Sequence, residues 1–122
     1  MKNKNVIVEK SYKFAIRIIN LYKFLKDEKK EYVISKQILR SGTSIGANIN
    51  ESQSAESNAD FIHKLSISAK EIRETEYWLN LLNHTDFIDN KSYKSIIDDC
   101  KELLKIINSI ILTSKEKNDE KK

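Results

Sequence analysis

Proline is absent from this sequence, and glycine occurs only twice, at Gly42 and Gly46. So few breakers argue against a sheet with tight turns and for long helices built from the abundant Lys, Glu, Ile and Leu. One cysteine, Cys100, cannot close an intrachain disulfide, so a reducing compartment is expected. No apolar run approaches the roughly 20 residues that span a bilayer. The first ten residues, Met1 to Lys10, hold no apolar stretch of signal-peptide length. Together these absences point to the cytoplasm and away from the membrane.

Charge, by contrast, is plentiful and unevenly placed. Of the 122 residues 33% are charged, with a net charge of +4. Residues 1–45 hold 11 basic against 4 acidic residues, 46–90 hold 3 against 8, and 91–122 hold 8 against 6. A basic first third can meet nucleic acid or an acidic partner, or can face the acidic middle of the same bundle. High aliphatic content beside this charge suits amphipathic helices in a single domain over residues 1–122 and argues against disorder.

Helical periodicity predicts four elements, at about 5–26, 33–54, 58–83 and 90–114. In the first, Ile7, Phe14, Ile18, Leu21 and Leu25 form one stripe, and Val8, Tyr12, Ala15, Ile19 and Tyr22 form a second beside it. The two together cover about half the circumference, more than the roughly 100° that a bundle core needs. A second copy of the chain is the simplest cover for the surplus. In the second element Ile34, Ile38, Ile45 and Ile49 make the core stripe, with Ser41 and Gly42 in its middle. Gly within a helix costs roughly 1 kcal/mol relative to Ala, so Gly42 and Gly46 imply close approach of a neighbouring helix or a local break. Beside that stripe run Gln37, Arg40, Ser44, Asn48 and Glu51, at 3, 4, 4 and 3 spacing. These five either face solvent or tie this helix to the third helix or to another subunit. Glu71 and Glu74 of the third helix are placed to meet Arg40 or Lys side chains of neighbouring helices.

The third helix opens on Ser57-Asn58-Ala59-Asp60, a capping box, and carries Phe61, Leu65, Ser68, Ile72, Leu79 and Leu82 as its main stripe. Asn83 is expected at its left-handed C-terminal position. Asp89 is expected to cap the fourth helix, whose apolar pattern runs from Tyr93 to Ile111 through Cys100. A thiol inside that pattern reads as buried and inert. Residues 115–122 read as a charged, frayed tail. Short links between four helices give an all-α, antiparallel up-down-up-down four-helix bundle.

The sequence offers no catalytic constellation. A di-metal bundle site needs two Glu-x-x-His motifs and two further Glu, whereas the nearest match is Asp60-Phe61-Ile62-His63, once. No Gly-rich phosphate loop, cysteine cluster or Ser/His/Asp arrangement is present. The expectation is a protein that is not an enzyme and holds neither metal nor cofactor.

Residues 32–82 carry a specific pattern: Gln37-Ile38-Leu39-Arg40-Ser41-Gly42-Thr43-Ser44-Ile45-Gly46-Ala47-Asn48-Ile49-Asn50-Glu51, then Asp60-Phe61, Lys64-Leu65, Lys70-Glu71 and Glu74-Thr75-Glu76-Tyr77-Trp78-Leu79. This resembles the 23S rRNA-intervening-sequence proteins, and length and helix order extend the match over nearly the whole chain. The family's name records genes found within insertions in rRNA genes. The resemblance implies a left-handed four-helix bundle and a ring of five subunits. The chain is also similar to the accessory variability determinant of diversity-generating retroelements, a basic pentamer that works with a reverse transcriptase and nucleic acid. Residues and resemblance together give the leading expectation: a non-catalytic homo-oligomer, a pentamer, whose basic first helix binds RNA or DNA phosphates through Lys10, Lys13, Arg17, Lys23, Lys26, Lys29 and Lys30. The alternative is a protein–protein adaptor without nucleic-acid binding, for example a partner of a nucleic-acid enzyme.

Overall fold

The computed structural model describes residues 2–120, with side chains for 5–117. Four helices follow one another: α1 (Lys2–Asp27), α2 (Ile34–Ser52), α3 (Asn58–His84) and α4 (Asn90–Glu120). Each packs on its sequence neighbours, and α4 closes the ring against α1. Cross-helix pairs fix the directions. Gly46 lies against Ser11 and Gly42 against Ile18; Arg40 meets Glu71, and Glu51 meets Lys64; Asn58 reaches Ser114, and Tyr93 reaches Asn80; Lys10 meets Glu102, and Arg17 meets Asp99. In each pair of helices one number rises as the other falls, so all neighbours are antiparallel. The chain is an all-α four-helix bundle.

The helix ends have local causes. Lys30 takes a left-handed φ of 56°, and the Glu31 carboxylate then accepts from the N–H groups of Val33, Ile34 and Ser35 at 3.2, 3.0 and 2.6 Å. Ser35 Oγ donates back to the Glu31 carbonyl at 2.8 Å. Glu31, which by sequence belongs to a charged loop, is thus the anion at the positive end of α2. Ser57 Oγ accepts the Asp60 N–H at 3.0 Å as its motif predicts. The Asp60 carboxylate returns to the N–H of Glu56, not to that of Ser57.

The left-handed residue after α3 is Asp86, with φ 66°, and not Asn83, which is still helical. Asn83 instead donates to the Ile88 carbonyl at 3.2 Å and to Asn90 Oδ1 at 2.9 Å, tying the link down. Asp89 accepts the Ser92 N–H at 2.7 Å, and this bond holds its carboxyl below the usual carboxylate range. That contribution to α4 is complete above the unfolded-state pKa of an aspartate and fades as pH falls through the lowered one. α4 does not stop near residue 114; Ser114 is buried and the helix runs on to Glu120. Lys121 and Lys122 lie outside the described residues.

The core follows the expected stripes. Ile7, Phe14, Ile18 and Leu25 of α1 are at most 2% exposed, as are Ile38, Ile45 and Ile49 of α2. Leu65, Ile72, Leu79 and Leu82 of α3 close the same core with Cys100, Leu103 and Ile107 of α4. Each such side chain contributes roughly 1.5–3 kcal/mol on burial. α2 is continuous through Ser41-Gly42-Thr43. A Cβ on Gly42 would sit 2.7 Å from Ile18 Cγ1, and one on Gly46 would sit 3.3 Å from the Ser11 carbonyl oxygen. Both glycines therefore mark where the α1 and α2 surfaces close up.

The α2–α3 seam is polar in an unexpected register. Its fully buried links are hydroxyls: Ser68 Oγ donates to the Ile45 carbonyl at 2.7 Å, and Thr75 Oγ1 lies 2.9 Å from Ser41 Oγ. Thr75 also bonds the Glu71 carbonyl at 2.8 Å, so each buried hydroxyl is satisfied. At the rim Arg40 bridges Glu71, at 3.2 Å, and Glu74, which also accepts the Trp78 indole N–H at 3.1 Å. Lys64 meets Glu51 at 3.2 Å. Of the expected polar line, Arg40 and Glu51 reach α3. Ser44 and Asn48 do not: their side chains bond the Arg40 and Ser44 carbonyls of their own helix. Gln37 is exposed and makes no side-chain bond. Short side chains find the carbonyl one turn back before they can reach a neighbour.

Gly42→Ala should gain about 1 kcal/mol of helix propensity but lose about 1–3 kcal/mol to overpacking against Ile18. Thermal unfolding should therefore show a lowered melting temperature for Gly42→Ala and a nearly unchanged one for Gly46→Ala. Arg40→Ala leaves Glu71 and Glu74, one turn apart, without their shared cation. We expect a loss of about 1–2 kcal/mol in urea unfolding followed by Trp78 fluorescence, with Arg40→Lys intermediate.

Candidate nucleic-acid interface

The seven cations singled out on and after α1 divide into two groups. Lys10 Nζ lies 2.9 Å from Glu102 Oε1, and the hydrogen bond to that carboxylate raises the Lys10 pKa. Lys13 pairs with Glu9 one turn back, at 2.8 Å. Arg17 holds Asp99 at 2.6 Å and also reaches the Ser95 hydroxyl and carbonyl. Lys10 and Arg17 are thus turned onto Ser95, Asp99 and Glu102, a stripe of α4 at 4 and 3 spacing, while Lys13 stays on its own helix. That spacing was readable in the sequence; which helix it would face was not.

The second group is freer. Lys23 and Lys30 are exposed and make no ion pair. Lys26 stands 3.8 Å from Asp27 and 5.4 Å from the Tyr22 ring centre. Lys29 places its ammonium 5.7 Å from the centre of the Phe24 ring. Of the seven, those without an ion pair, Lys23, Lys29 and Lys30, therefore lie toward the C-terminal end of α1 and in its link to α2. Lys36, on the first turn of α2, is exposed at the same end of the bundle and was not among the seven.

On the outer face of α1, Tyr12, Ile16 and Ile19 are 67, 46 and 39% exposed, at 4 and 3 spacing. Tyr12 and Ile19 belong to the second apolar set foreseen from periodicity, whereas Ile16 lay outside both stripes. Val8, Ala15 and Tyr22 of that set are half-buried. A shallow groove of about 160 Å³ adjoins the Tyr12 end of the row, lined also by Val8, Ala15 and, from α2, Gly46 and Ala47.

Elsewhere the chemistry is quiet. Cys100 is fully buried, and burial, then the nearby Glu76 and Asp99, push its thiol pKa far up, away from a reactive thiolate. Glu71 and Glu74 are both held by Arg40. Among the described residues no three His, Cys, Asp or Glu side chains gather as a metal site, and no helix is long and apolar enough to cross a membrane.

This geometry can be set beside known proteins. The family model for 23S rRNA-intervening sequence proteins matches residues 3–109. A crystal structure of a protein of unknown function from Bacteroides thetaiotaomicron, assigned to the S23 ribosomal protein family, superposes with a TM-score of 0.89. It is 59% identical, over 89% of this chain and 97% of its own. Comparison with curated proteins gives no match. With a family model spanning most of its length and a solved relative so similar in sequence and shape, the chain belongs to the 23S rRNA-intervening sequence protein family.

Proposed function

We propose that the protein is a non-catalytic, cytoplasmic homo-oligomeric scaffold that binds the phosphate backbone of RNA or DNA through the basic end of α1. The observation that carries this reading is the exposed row Tyr12, Ile16 and Ile19, whose Tyr12 end borders the groove over Gly46 and Ala47. A ridge of large side chains next to a hollow floored by small ones is a shape that a second copy can meet. Association would remove the apolar surplus from water, and the resemblance noted above makes a ring of five the preferred assembly. A ring repeats Lys23, Lys26, Lys29 and Lys30 once per subunit, and such repetition turns a weak patch into avid binding. Lys10, Lys13 and Arg17 act chiefly as ties within the subunit in this reading, because their charges are matched by Glu102, Glu9 and Asp99.

Those same pairs are what favours the second reading, an adaptor that captures a protein partner and leaves nucleic acid alone. Tyr77, 56% exposed on α3, and the neighbouring acidic residues would be its contact.

Light scattering on a sizing column should give a multiple of 14.2 kDa, and Ile16→Glu with Ile19→Glu should reduce it to a single chain. A wild-type mass of one chain at micromolar concentration defeats the scaffold. Nucleic-acid affinity should fall linearly in log–log form with salt. The double substitution Lys23→Glu, Lys30→Glu should flatten that slope and weaken binding at least tenfold. Affinity indifferent to salt, or to this substitution, would favour the adaptor.

A further inference from the structure

At the end of the bundle where the 28–33 and 85–89 links lie, α1 and α4 part around a cleft of about 580 Å³, within the size range of ligand sites. Its apolar walls include Leu21 and Phe24 of α1 and Phe87 and Ile96 across from them. The Phe24 ring is 40% exposed, a large apolar surface left open to water. Arg17, Asn20 and Phe24 enter the cleft from one face of α1, at 3 and 4 spacing. The Asn20 side chain is exposed and makes no hydrogen bond within the chain. Lys29 stands at the ring of Phe24, and Lys23 is one turn from Asn20.

The lining restricts what fits. Arg17 is already held by Asp99, and Asp86 and Asp89, the latter near Lys29, also line the cleft, so a compact polyanion would meet two carboxylates. A hydrocarbon would cover Phe24 but shut the Asn20 amide away from water without a partner, which is costly. A flat heterocycle with donors and acceptors on its edge answers both: its face stacks on an aromatic ring, and a carboxamide offers one donor and one acceptor side by side.

We propose that this cleft receives one unstacked nucleobase of a single-stranded nucleic acid, with Phe24 as the stacking platform and Asn20 bonded to the base edge. The sugar–phosphate chain leaves over Lys23, Lys29 and Lys30, and Lys29 gives up the ring face to the base and moves to the phosphate. The inference rests on the phosphate-binding reading above and adds strand state to it: bases paired within a duplex present no free face to Phe24.

The test uses the full chain and a fluorescent 12-nucleotide mixed-sequence RNA, its duplex with the complementary strand, and the single-stranded DNA of the same sequence. The single strands should bind at least tenfold tighter than the duplex. Phe24→Ala should weaken single-strand binding about tenfold at every salt concentration, leaving the salt slope and the duplex affinity unchanged. Phe24→Trp should preserve binding, and Asn20→Ala should lose several-fold. Matching melting curves for the variants confirm that they are folded. Near-equal tightness of the two single strands, or a preference for either one, supports the cleft, and a preference also identifies which nucleic acid fills it. Equal binding of single strand and duplex with no effect of Phe24→Ala overturns the cleft and leaves the phosphate reading standing. No binding of any oligonucleotide overturns both.

Discussion

The bundle depends first on how closely α2 approaches α1. Gly42 offers hydrogen where any other residue would place a carbon 2.7 Å from Ile18. Because Ile18 is fully buried and stiff at its branched carbon, the approach cannot be relaxed by moving it. The two glycines cost helix propensity, and the contact they permit offsets that cost. With α2 drawn in against α1, its adjoining face presents Ser41 and the Ile45 carbonyl to α3, where small hydroxyls suffice to bridge. Bulkier residues along this line would push the helices apart on both sides at once.

The two polar seams are built differently. Between α2 and α3 the links are short, buried and directional: Ser41 to Thr75, and Ser68 to the Ile45 carbonyl. Orphaning such groups is expensive, so they set a single register. Between α1 and α4 the links are long side chains, such as Lys10 to Glu102 and Arg17 to Asp99, about half-exposed. Exposed ion pairs stabilise little but tolerate spacing. The α1–α4 seam is accordingly the one that opens, beyond Arg17, into the cleft beside Phe24.

α1 thus faces three ways. One face fills the core, one ties to α4, and a third holds Tyr12, Ile16 and Ile19 in water. A helix that amphipathic on two sides gains little from the exposed row as a monomer. Lys10 and Lys13 are paired with Glu102 and Glu9, whereas Lys23, without an ion pair, lies toward the end where the ties to α4 have ended.

Much of this was legible in the residues. Period and spacing located all four helices, the core stripes, the Ser57 and Asp89 caps and the excess apolar surface of α1, because burial and capping are local demands on residue type. The motif order from Gln37 to Leu79 pointed to the family. What spacing could not give was the partner of each polar group. Arg40 reaches Glu71 and Glu74, while Ser44 and Asn48 turn back on their own helix. Lys10 and Arg17 are matched by α4, while Lys23 and Lys30 are not. Glu31 caps α2 from within the link between α1 and α2, and Phe24 opens onto a cleft whose far wall runs from Asp86 to Ile96. Hydrophobic pattern acts through the average environment of a face, which one helix determines for itself. Ion pairs, hydroxyl bridges and clefts depend on distances between helices, which only their packing sets.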